Sequence, residues 1–171
     1  MSSSNRDHEI RGSQRLQTLL HHFPSSNPNT SKPTKRAAVL ICLFHSPEDG
    51  SLRVILTQRA SSLSSHSGEV CLPGGKREEG DADDVQTALR EAKEEIGLDP
   101  SLVSVITLLE PFHTKYGVTV IPVIGILLDK DAFSPVLNSA EVEAIFDAPL
   151  DMFLEVFTLN ENRRAEEKDW M

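Results

Sequence analysis

Three glutamates at helical spacing are the residues best suited to chemistry. Glu91, Glu94 and Glu95 stand at i, i+3 and i+4 in the run from Arg90 to Gly97, so a helix places them on one face. This arrangement is repulsive, and it opposes the helix macrodipole because the carboxylates fall in the last turns. A divalent cation removes both conflicts, and Mg²⁺ or Mn²⁺ takes carboxylate oxygens while keeping waters for substrate phosphates.

The alternative interpretation is a solvated acidic helix face, which these residues alone do not exclude. The glycines upstream favour the metal site. Gly74 and Gly75 follow an apolar segment and lead through an acidic loop into the helix. Glycine lets a backbone come close to a phosphate, and carbonyls there can ligate a metal. Together, the glycine pair, the acidic loop and the helix predict a phosphate-binding metal site.

At these residues the sequence resembles the Nudix hydrolase family. The family signature is Gly-x5-Glu-x7-Arg-Glu-U-x-Glu-Glu-x-Gly-U, where U is aliphatic. Gly75 opens the signature and the run from Arg90 to Leu98 closes it, so the Nudix box spans 75–98. Two departures from the pattern fall in the loop: Asp81 stands where a glutamate is expected, and eight residues rather than seven separate it from Arg90.

The resemblance implies hydrolysis of a nucleoside diphosphate linked to a second group, with Mg²⁺ or Mn²⁺ as the cofactor. Glu91 and Glu95 match the family's metal ligands, and Glu94 matches a residue that acts as a ligand or as the catalytic base. Gly75 is expected at the metal through its backbone. Arg90 is expected to orient a glutamate; the alternative is a salt bridge on the helix surface, worth under ~1 kcal/mol.

Residues upstream resemble the extra motif of the coenzyme A diphosphatase branch, and they are similar to its plant members. That motif reads Leu-Leu-Thr-x-Arg-Ser/Ala-x3-Arg-x3-Gly-x3-Phe-Pro-Gly-Gly, and it is matched by residues 55–60 and 68–75. Leu72 replaces the Phe, and Ser64 replaces the second Arg. The branch implies cleavage of coenzyme A, and of CoA derivatives, to 3′-phosphoadenosine 5′-phosphate and 4′-phosphopantetheine.

Two other functions stay open. Ser64 lacks the positive charge of the arginine that the branch motif has at this position. The chain can therefore also be a Nudix hydrolase that acts on another pyrophosphate, such as ADP-ribose or a dinucleotide. A catalytically silent Nudix fold that binds nucleotides is the third possibility, although it has no need of a repulsive glutamate cluster. In each case the expected partner is a small nucleotide, and the expected assembly is a monomer or a homodimer.

Substrate-binding candidates lie on both sides of the glycines. Arg59 ends an apolar segment just before a loop, a good place for a phosphate-binding guanidinium, although a surface arginine is an equal alternative. Gly74 offers its backbone to a phosphate. Lys76 and Arg77 adjoin the glycines and can steer an anion.

Two further candidates lie outside the Nudix box. His66 is in the loop of the branch motif, where a structural role is the alternative. Lys115 and Tyr116 are expected in a loop beside the pocket, where Tyr116 can stack on a base.

The supporting elements interleave strands and helices, so the fold class is α/β; the resemblance implies a Nudix-type α/β/α sandwich with a mixed sheet and a catalytic loop-helix. The catalytic helix is predicted over about 84–96, and a second helix is predicted to open at Pro149. Pro122 within a strand predicts an edge position or a bulge. Apolar, β-branched segments predict five strands, of which the first two form a hairpin: 37–44, 52–57, 103–109, 118–128 and 141–147.

Composition narrows the class of protein further. A length of 171 residues predicts one main domain, and a net charge of −9 argues against nucleic-acid binding. No stretch of 18 residues is apolar throughout, so a membrane-spanning helix is not expected. The first 20 residues contain no apolar signal region, which predicts a cytoplasmic location, with the mitochondrion as the alternative.

Both ends of the chain are expected to differ from the central domain. Residues 1–36 are predicted to be a mobile segment with a short helix at 13–23 and a linker over 24–36, and residues 37–171 form the Nudix domain. The run from Arg163 to Glu167 resembles a segment after which the branch continues with further sheet and a closing helix. We therefore expect a C-terminally shortened form that is marginally stable, self-associating or weakly active.

Overall fold

Eight strands form a mixed sheet in the computed structural model, which describes residues 35–153. The catalytic helix is α1 (Asp84–Ile96), followed by a short 3₁₀ turn (Pro100–Leu102), and residues 150–153 are helical where the described part ends. The strands are β1 (Arg36–His45), β2 (Leu52–Arg59), β3 (Val70–Cys71), β4 (Gly74–Lys76), β5 (Val103–Leu108), β6 (Phe112–His113), β7 (Thr119–Leu127) and β8 (Val142–Pro149).

Strand β1 lies at the centre of the sheet. It pairs in parallel with β7 from Arg36↔Thr119 to Leu43↔Ile126, and antiparallel with β2 around Leu43↔Val54. The predicted hairpin is therefore confirmed. Antiparallel β5 and β6 flank β7, and β8 flanks β2. These pairings make the sheet mixed, which confirms the α/β fold class.

A split between β1 and β2 forms the base of the site. The two strands pair only near the hairpin turn, and β3 and β4 occupy the space where they diverge. β4 pairs with β1 through Ala38↔Gly75 and Val39↔Gly74, while β3 pairs with β2 through Thr57↔Cys71. The glycine pair is thus held by backbone hydrogen bonds inside the sheet rather than in a free loop.

Alternation along β1 directs its side chains to both faces of the sheet. Ala38, Leu40, Cys42 and Phe44 are buried with residues of α1 such as Ala92. On the opposite face, Leu43 is buried in a cluster that Ile41, Leu150 and Phe153 pack against. Helical residues therefore cover both faces, as expected for an α/β/α sandwich.

The ends of α1 follow from its sequence. Asp83 is the N-cap, and its carboxylate accepts a hydrogen bond from the Gln86 amide at 2.8 Å. Gly97 ends the helix in the left-handed conformation, with φ 72°, and its amide donates to Lys93 O. The predicted helix over 84–96 is confirmed.

Several predicted boundaries shift in the structure. Arg36, predicted as the end of a linker, is the first residue of β1, and β2 extends through Gln58 and Arg59 before the polar loop begins. Pro149 ends β8 instead of opening a helix, and helical residues begin at Leu150. Backbone pairing with neighbouring strands extends each of these elements, and local composition does not report it.

The edge position inferred from Pro122 is wrong, because β7 lies between β1 and the strands β5 and β6. The carbonyl oxygen of Pro122 accepts a hydrogen bond from the Leu109 amide. The N–H that a residue other than proline would have here would face the same side of β7, where β5 has ended and β6 has not begun. This break, rather than an edge, accommodates the proline.

The helix predicted at 13–23, most of the predicted linker and the run from Arg163 to Glu167 lie outside the described residues. Within residues 35–153, no helix has the length and apolar character needed to cross a membrane.

Candidate active site

Glu95 is the most deeply buried acid of the predicted cluster, with 3% of its surface exposed. Its Oε2 accepts a hydrogen bond from the Gly74 amide at 3.0 Å, which joins α1 to β4. Burial raises the pKa of Glu95 to about 7, while the Gly74 hydrogen bond partly opposes this shift and the charge of Glu91 adds to it. The carboxylate is thus held in place and is poorly stabilised as an anion.

Glu91 lies one turn earlier, against the second glycine. A Cβ atom on Gly75 would lie 2.5 Å from Glu91 Cδ and 2.6 Å from each carboxylate oxygen. Only a glycine leaves room for the carboxylate at this point. Burial also raises the pKa of Glu91, and the nearby positive charge of Arg90 opposes the shift. The glycine pair and the two glutamates therefore form one site, as the sequence predicts.

Glu141, which the sequence predicted only as the start of a strand, is a further acid beside the predicted glutamates. Its negative charge contributes to the raised pKa of both Glu91 and Glu95. Asn138 positions it: the Asn138 side chain donates to Glu141 Oε1 at 3.1 Å, and the Asn138 amide donates to Glu95 O at 3.0 Å. No local spacing connects Glu141 with α1, because tertiary contacts bring them together.

Arg90 connects the loop to the glutamates. Its guanidinium binds both oxygens of Asp81, at 2.9 and 3.0 Å, and contacts Glu91 Oε1 at 3.1 Å and Glu94 Oε2 at 3.0 Å. It also donates to the carbonyl oxygen of Lys76 at 3.0 Å. The geometry fits the expectation that Arg90 orients a glutamate, since one group contacts Glu91, Glu94 and the loop.

The two departures from the Nudix signature in the loop leave the ion pair between Asp81 and Arg90 intact. Asp81 is buried and also accepts hydrogen bonds from the Glu78 amide and the Thr87 hydroxyl, both at 2.9 Å. The hydrogen bonds from Arg90 hold the pKa of Asp81 well below its usual range. The extra residue between Asp81 and Arg90 is accommodated around the start of α1, so the shorter acid still meets the arginine.

A second ion pair fixes the start of α1 against the sheet. Arg36 binds both oxygens of Asp84, at 2.9 and 2.7 Å. Arg77, suggested by the sequence as a residue that steers anions, instead donates to the carbonyl oxygens of Asp81 and Ala82 and lies 3.7 Å from Asp84. Its guanidinium braces the loop.

Arg59 lies at the open end of β2, beside the glutamates. Its positive charge lowers the pKa of Glu95 slightly against the effect of burial. The Nε atom of Arg59 is buried and has no hydrogen-bond partner within residues 35–153. A buried unpaired donor is costly, and a phosphate oxygen would satisfy it. This geometry distinguishes Arg59 from an ordinary surface arginine.

The remaining candidates lie around the site without contacting the glutamates through their side chains. Lys76 is exposed at the end of β4, and only its carbonyl oxygen bonds to Arg90. His66 lies on the loop after β2, where its Nδ1 is 2.8 Å from Glu69 Oε2, and its ring meets Tyr116 edge to face. Glu94 is half-exposed on the outer side of the cluster.

These donors suit a divalent cation. Glu91 and Glu95 supply carboxylate oxygens whose pKa values are raised mainly by burial and further by neighbouring acids. Within the described part of the chain, no group of three or more His, Cys, Asp or Glu side chains already surrounds a single point. Mg²⁺ is commonly bound by one or two carboxylates, waters and substrate phosphates, so two glutamates beside a phosphate-accessible backbone fit that ion.

In metal-free protein, Glu95→Gln is expected to change how stability depends on pH. The folded pKa of about 7 lies above the unfolded value of about 4.3, so between these values the unfolded state holds fewer protons than the folded state. The wild-type free energy of unfolding therefore falls as pH rises through this window, and the neutral glutamine removes that loss.

The measurement is the melting temperature in chelator from about pH 5 to about pH 8. The variant should gain on the wild type as pH rises. Glu48→Gln, at an exposed turn residue, is the control and should follow the wild type throughout. Parallel curves for Glu95→Gln and the wild type would contradict the assignment of a buried carboxylate with a raised pKa.

The fold is α/β, and its candidate site brings two glutamates against a glycine pair, a donor set suited to a divalent cation. The NUDIX domain family matches residues 34–170. The chain belongs to this family.

The chain is also similar to individual Nudix hydrolases. The chain is 65% identical over 147 residues to Nudix hydrolase 15, mitochondrial, of Arabidopsis thaliana, covering 86% of this chain and 50% of that protein. It is 45% identical over 105 residues to the peroxisomal coenzyme A diphosphatase NUDT7 of Mus musculus, covering 61% and 44%. The chain thus spans about half the length of these curated relatives.

Solved structures agree on the fold. The Nudix hydrolase RenU from M. smegmatis superposes with a TM-score of 0.59 at 22% identity, covering 87% of this chain and 94% of that chain. At this identity the likeness concerns the fold alone.

Proposed function

We propose that this protein hydrolyses the pyrophosphate bond of coenzyme A and of CoA derivatives, giving 3′-phosphoadenosine 5′-phosphate and 4′-phosphopantetheine. The observation that carries the proposal is the pair of buried glutamates against Gly74 and Gly75, with the unpaired Arg59 Nε beside them. Similarity to a coenzyme A diphosphatase supports the choice of substrate.

Each residue has a role in this proposal. Glu91 and Glu95, with the Gly75 backbone, would hold Mg²⁺ or Mn²⁺, which when bound would supply charge neutralisation of the phosphates and a lowered pKa of a coordinated water. Arg90 orients Glu91 and Glu94 through contacts of 3.1 and 3.0 Å. Glu94, the more exposed of the two, takes up the proton of the attacking water. Glu141 is an additional acid able to join the donor set through its position beside Glu91 and Glu95.

On the substrate side, the Gly74 and Gly75 backbone admits a phosphate close to the glutamates. Arg59 binds a pyrophosphate oxygen, which satisfies its buried Nε. Lys76 adds an exposed positive charge at the rim, and His66 belongs to the loop that begins directly after Arg59. A monomer or a homodimer is sufficient for this chemistry. Two Arabidopsis relatives, one named mitochondrial at 65% identity and one named chloroplastic at 64%, favour an organelle such as the mitochondrial alternative over the cytoplasm.

The second candidate is a Nudix hydrolase acting on ADP-ribose or a dinucleotide. Ser64, which stands in the branch motif where a second arginine is expected, is exposed in the loop after β2. A serine there cannot form an ion pair with a phosphate. The preference for a 3′-phosphorylated substrate therefore lacks the contact that an arginine at this position would provide. The glutamate–glycine site serves either substrate equally.

A substrate panel tests the choice. Coenzyme A, ADP-ribose and a dinucleoside polyphosphate are compared by kcat/KM with Mg²⁺ and with Mn²⁺, and the products are identified by mass. We expect CoA to be the best substrate and the nucleotide product to retain the 3′-phosphate. A far higher kcat/KM for ADP-ribose or the dinucleotide would overturn the CoA assignment and favour the second candidate.

Arg59→Ala is expected to raise KM about tenfold or more while lowering kcat less, because an arginine that anchors the ground state contributes uniform binding. Steady-state kinetics on the preferred substrate measures both values. Arg53→Ala is the matched control, since Arg53 lies on the same strand and pairs with Asp147 away from the glutamates. An unchanged KM in the Arg59 variant would show that Arg59 is a surface residue that does not bind the substrate.

A further inference from the structure

We propose that Tyr116, His66 and Lys115 form a subsite for the nucleoside end of the substrate. In this subsite a purine ring stacks on Tyr116, and Lys115 meets a phosphate of the same nucleotide. The inference rests on the proposed function because it assigns a location to the nucleotide half of a pyrophosphate substrate. It goes beyond that function because the subsite lies outside the glutamate–glycine site.

The three side chains form a contiguous surface. The rings of His66 and Tyr116 have centroids 6.2 Å apart at an interplanar angle of 79°, which is an edge-to-face arrangement. The Lys115 ammonium lies 5.1 Å from the centroid of the Tyr116 ring. Tyr116 is nevertheless 64% exposed. A large exposed aromatic ring with a cation beside it is suited to a planar, anionic ligand.

The backbone presents these residues from two turns at the same edge of the sheet as the glutamates. His66 lies in a loop closed by hydrogen bonds from Gly68 N to Arg59 O and from Arg59 N to Glu69 O. Arg59, which closes this loop through its backbone, is also the arginine beside Glu95. Tyr116 lies in the turn before β7, whose first residue pairs with Arg36 at the start of β1, next to β4.

The local geometry at His66 supports a binding role. His66 is a non-glycine residue with positive φ, at 55°, a conformation that costs free energy and that occurs often at functional sites. The Glu69 carboxylate holds its ring at 2.8 Å. The Glu69 contact restrains the ring next to an exposed tyrosine, so a stacking ligand loses less side-chain entropy on binding.

Lys115 can change partner at small cost. An exposed cation–π contact contributes on the order of only 0.5–1 kcal/mol, so the ammonium can leave the ring for a phosphate oxygen. A base then takes its place on the ring face, because stacking on an aromatic side chain tolerates any base. For coenzyme A, the natural partner of Lys115 is a phosphate on the ribose.

The first test uses the fact that the chain contains one tyrosine. Protein labelled with 3-fluorotyrosine gives a single ¹⁹F resonance, which is followed during titration with adenosine 3′,5′-bisphosphate or with 4′-phosphopantetheine. We expect a saturable shift with the nucleotide and none with the pantetheine compound. No shift with the nucleotide, or an equal shift with both compounds, would overturn the subsite. This test requires no turnover, so it stands even if the proposed reaction fails.

The second test is kinetic. Tyr116→Ala is expected to raise KM about tenfold with kcat within about twofold, and Tyr116→Phe, which keeps the ring, should leave KM within about twofold. Phe112→Ala, at another exposed aromatic residue of the preceding strand, is the matched control. The assay uses whichever adenine pyrophosphate the enzyme hydrolyses best. An unchanged KM for Tyr116→Ala, or a rise explained by a fall in melting temperature, would overturn the proposal.

Discussion

Glu95→Gln is expected to lower Mg²⁺-dependent turnover by at least about 100-fold, because even the partners of metal ligands reach that cost when they are removed. The change keeps the shape of the side chain and removes its charge. The amide oxygen can still accept the hydrogen bond from Gly74, which the wild-type carboxylate accepts at 3.0 Å. The fold should therefore be retained while cation binding is lost.

Turnover at saturating Mg²⁺ and the affinity for Mn²⁺, measured by electron paramagnetic resonance, check this result. Glu48→Gln makes the same chemical change at an exposed residue of the β1–β2 turn and should leave both quantities unchanged. Wild-type turnover in the Glu95 variant would remove this residue from the metal site.

Alanine at the two adjacent glycines is expected to cause two different losses. A Cβ on Gly75 meets the Glu91 carboxylate, the mobile end of a side chain, at 2.5 Å. The carboxylate can move away, so Gly75→Ala should fold with a nearly unchanged melting temperature and lose metal affinity and turnover. The Gly75 substitution therefore displaces the Glu91 carboxylate without destabilising the sheet.

Gly74→Ala should instead destabilise the protein. Here the Cβ meets backbone, with Ala38 O at 2.4 Å and Val39 Cα at 2.6 Å, and the residue has φ 153°. Neither strand can move without breaking its pairing in the sheet, and losses of several kcal/mol are typical of overpacked interiors and strained backbone. Gly80→Ala, with no atom near the added Cβ, is the control for both variants.

Thermal melting and Mn²⁺ titration on the three alanine variants separate these outcomes. The expected pattern is loss of binding with retained stability at Gly75, loss of stability at Gly74, and neither at Gly80. Equal destabilisation at Gly74 and Gly75 would contradict the distinct contacts assigned to them.

The sequence was informative where the signal is local. Apolar spacing predicted α1 within its observed bounds, and the i, i+3, i+4 spacing placed Glu91, Glu94 and Glu95 on one helix. The two apolar, β-branched segments 37–44 and 52–57, joined by a short polar turn, predicted the hairpin. In each case the residues that decide the structure are neighbours in the chain, so periodicity and turn chemistry report it directly.

Features set by distant contacts could not be predicted in the same way. Pro122 was predicted to need an edge position or a bulge, because a residue inside a sheet normally needs its N–H. The break between β5 and β6 that removes this need is a property of the partner strands. Glu141 reaches the site through Asn138 and the last turn of α1. Arg36 was counted as linker, although its side chain is fixed by Asp84 from a different element.

The split in the sheet has an evolutionary consequence. β4 is held to β1 in the register Val39↔Gly74. A single codon inserted or deleted between Val70 and Gly74 would shift this register by one residue, which moves each glycine to the face opposite its present one. The loops on either side, residues 60–69 and 77–83, have no such ladder along their length. Tolerated changes in gene length near this site should therefore accumulate in the two loops, and a library of single-codon insertions scored for folded protein would map this boundary.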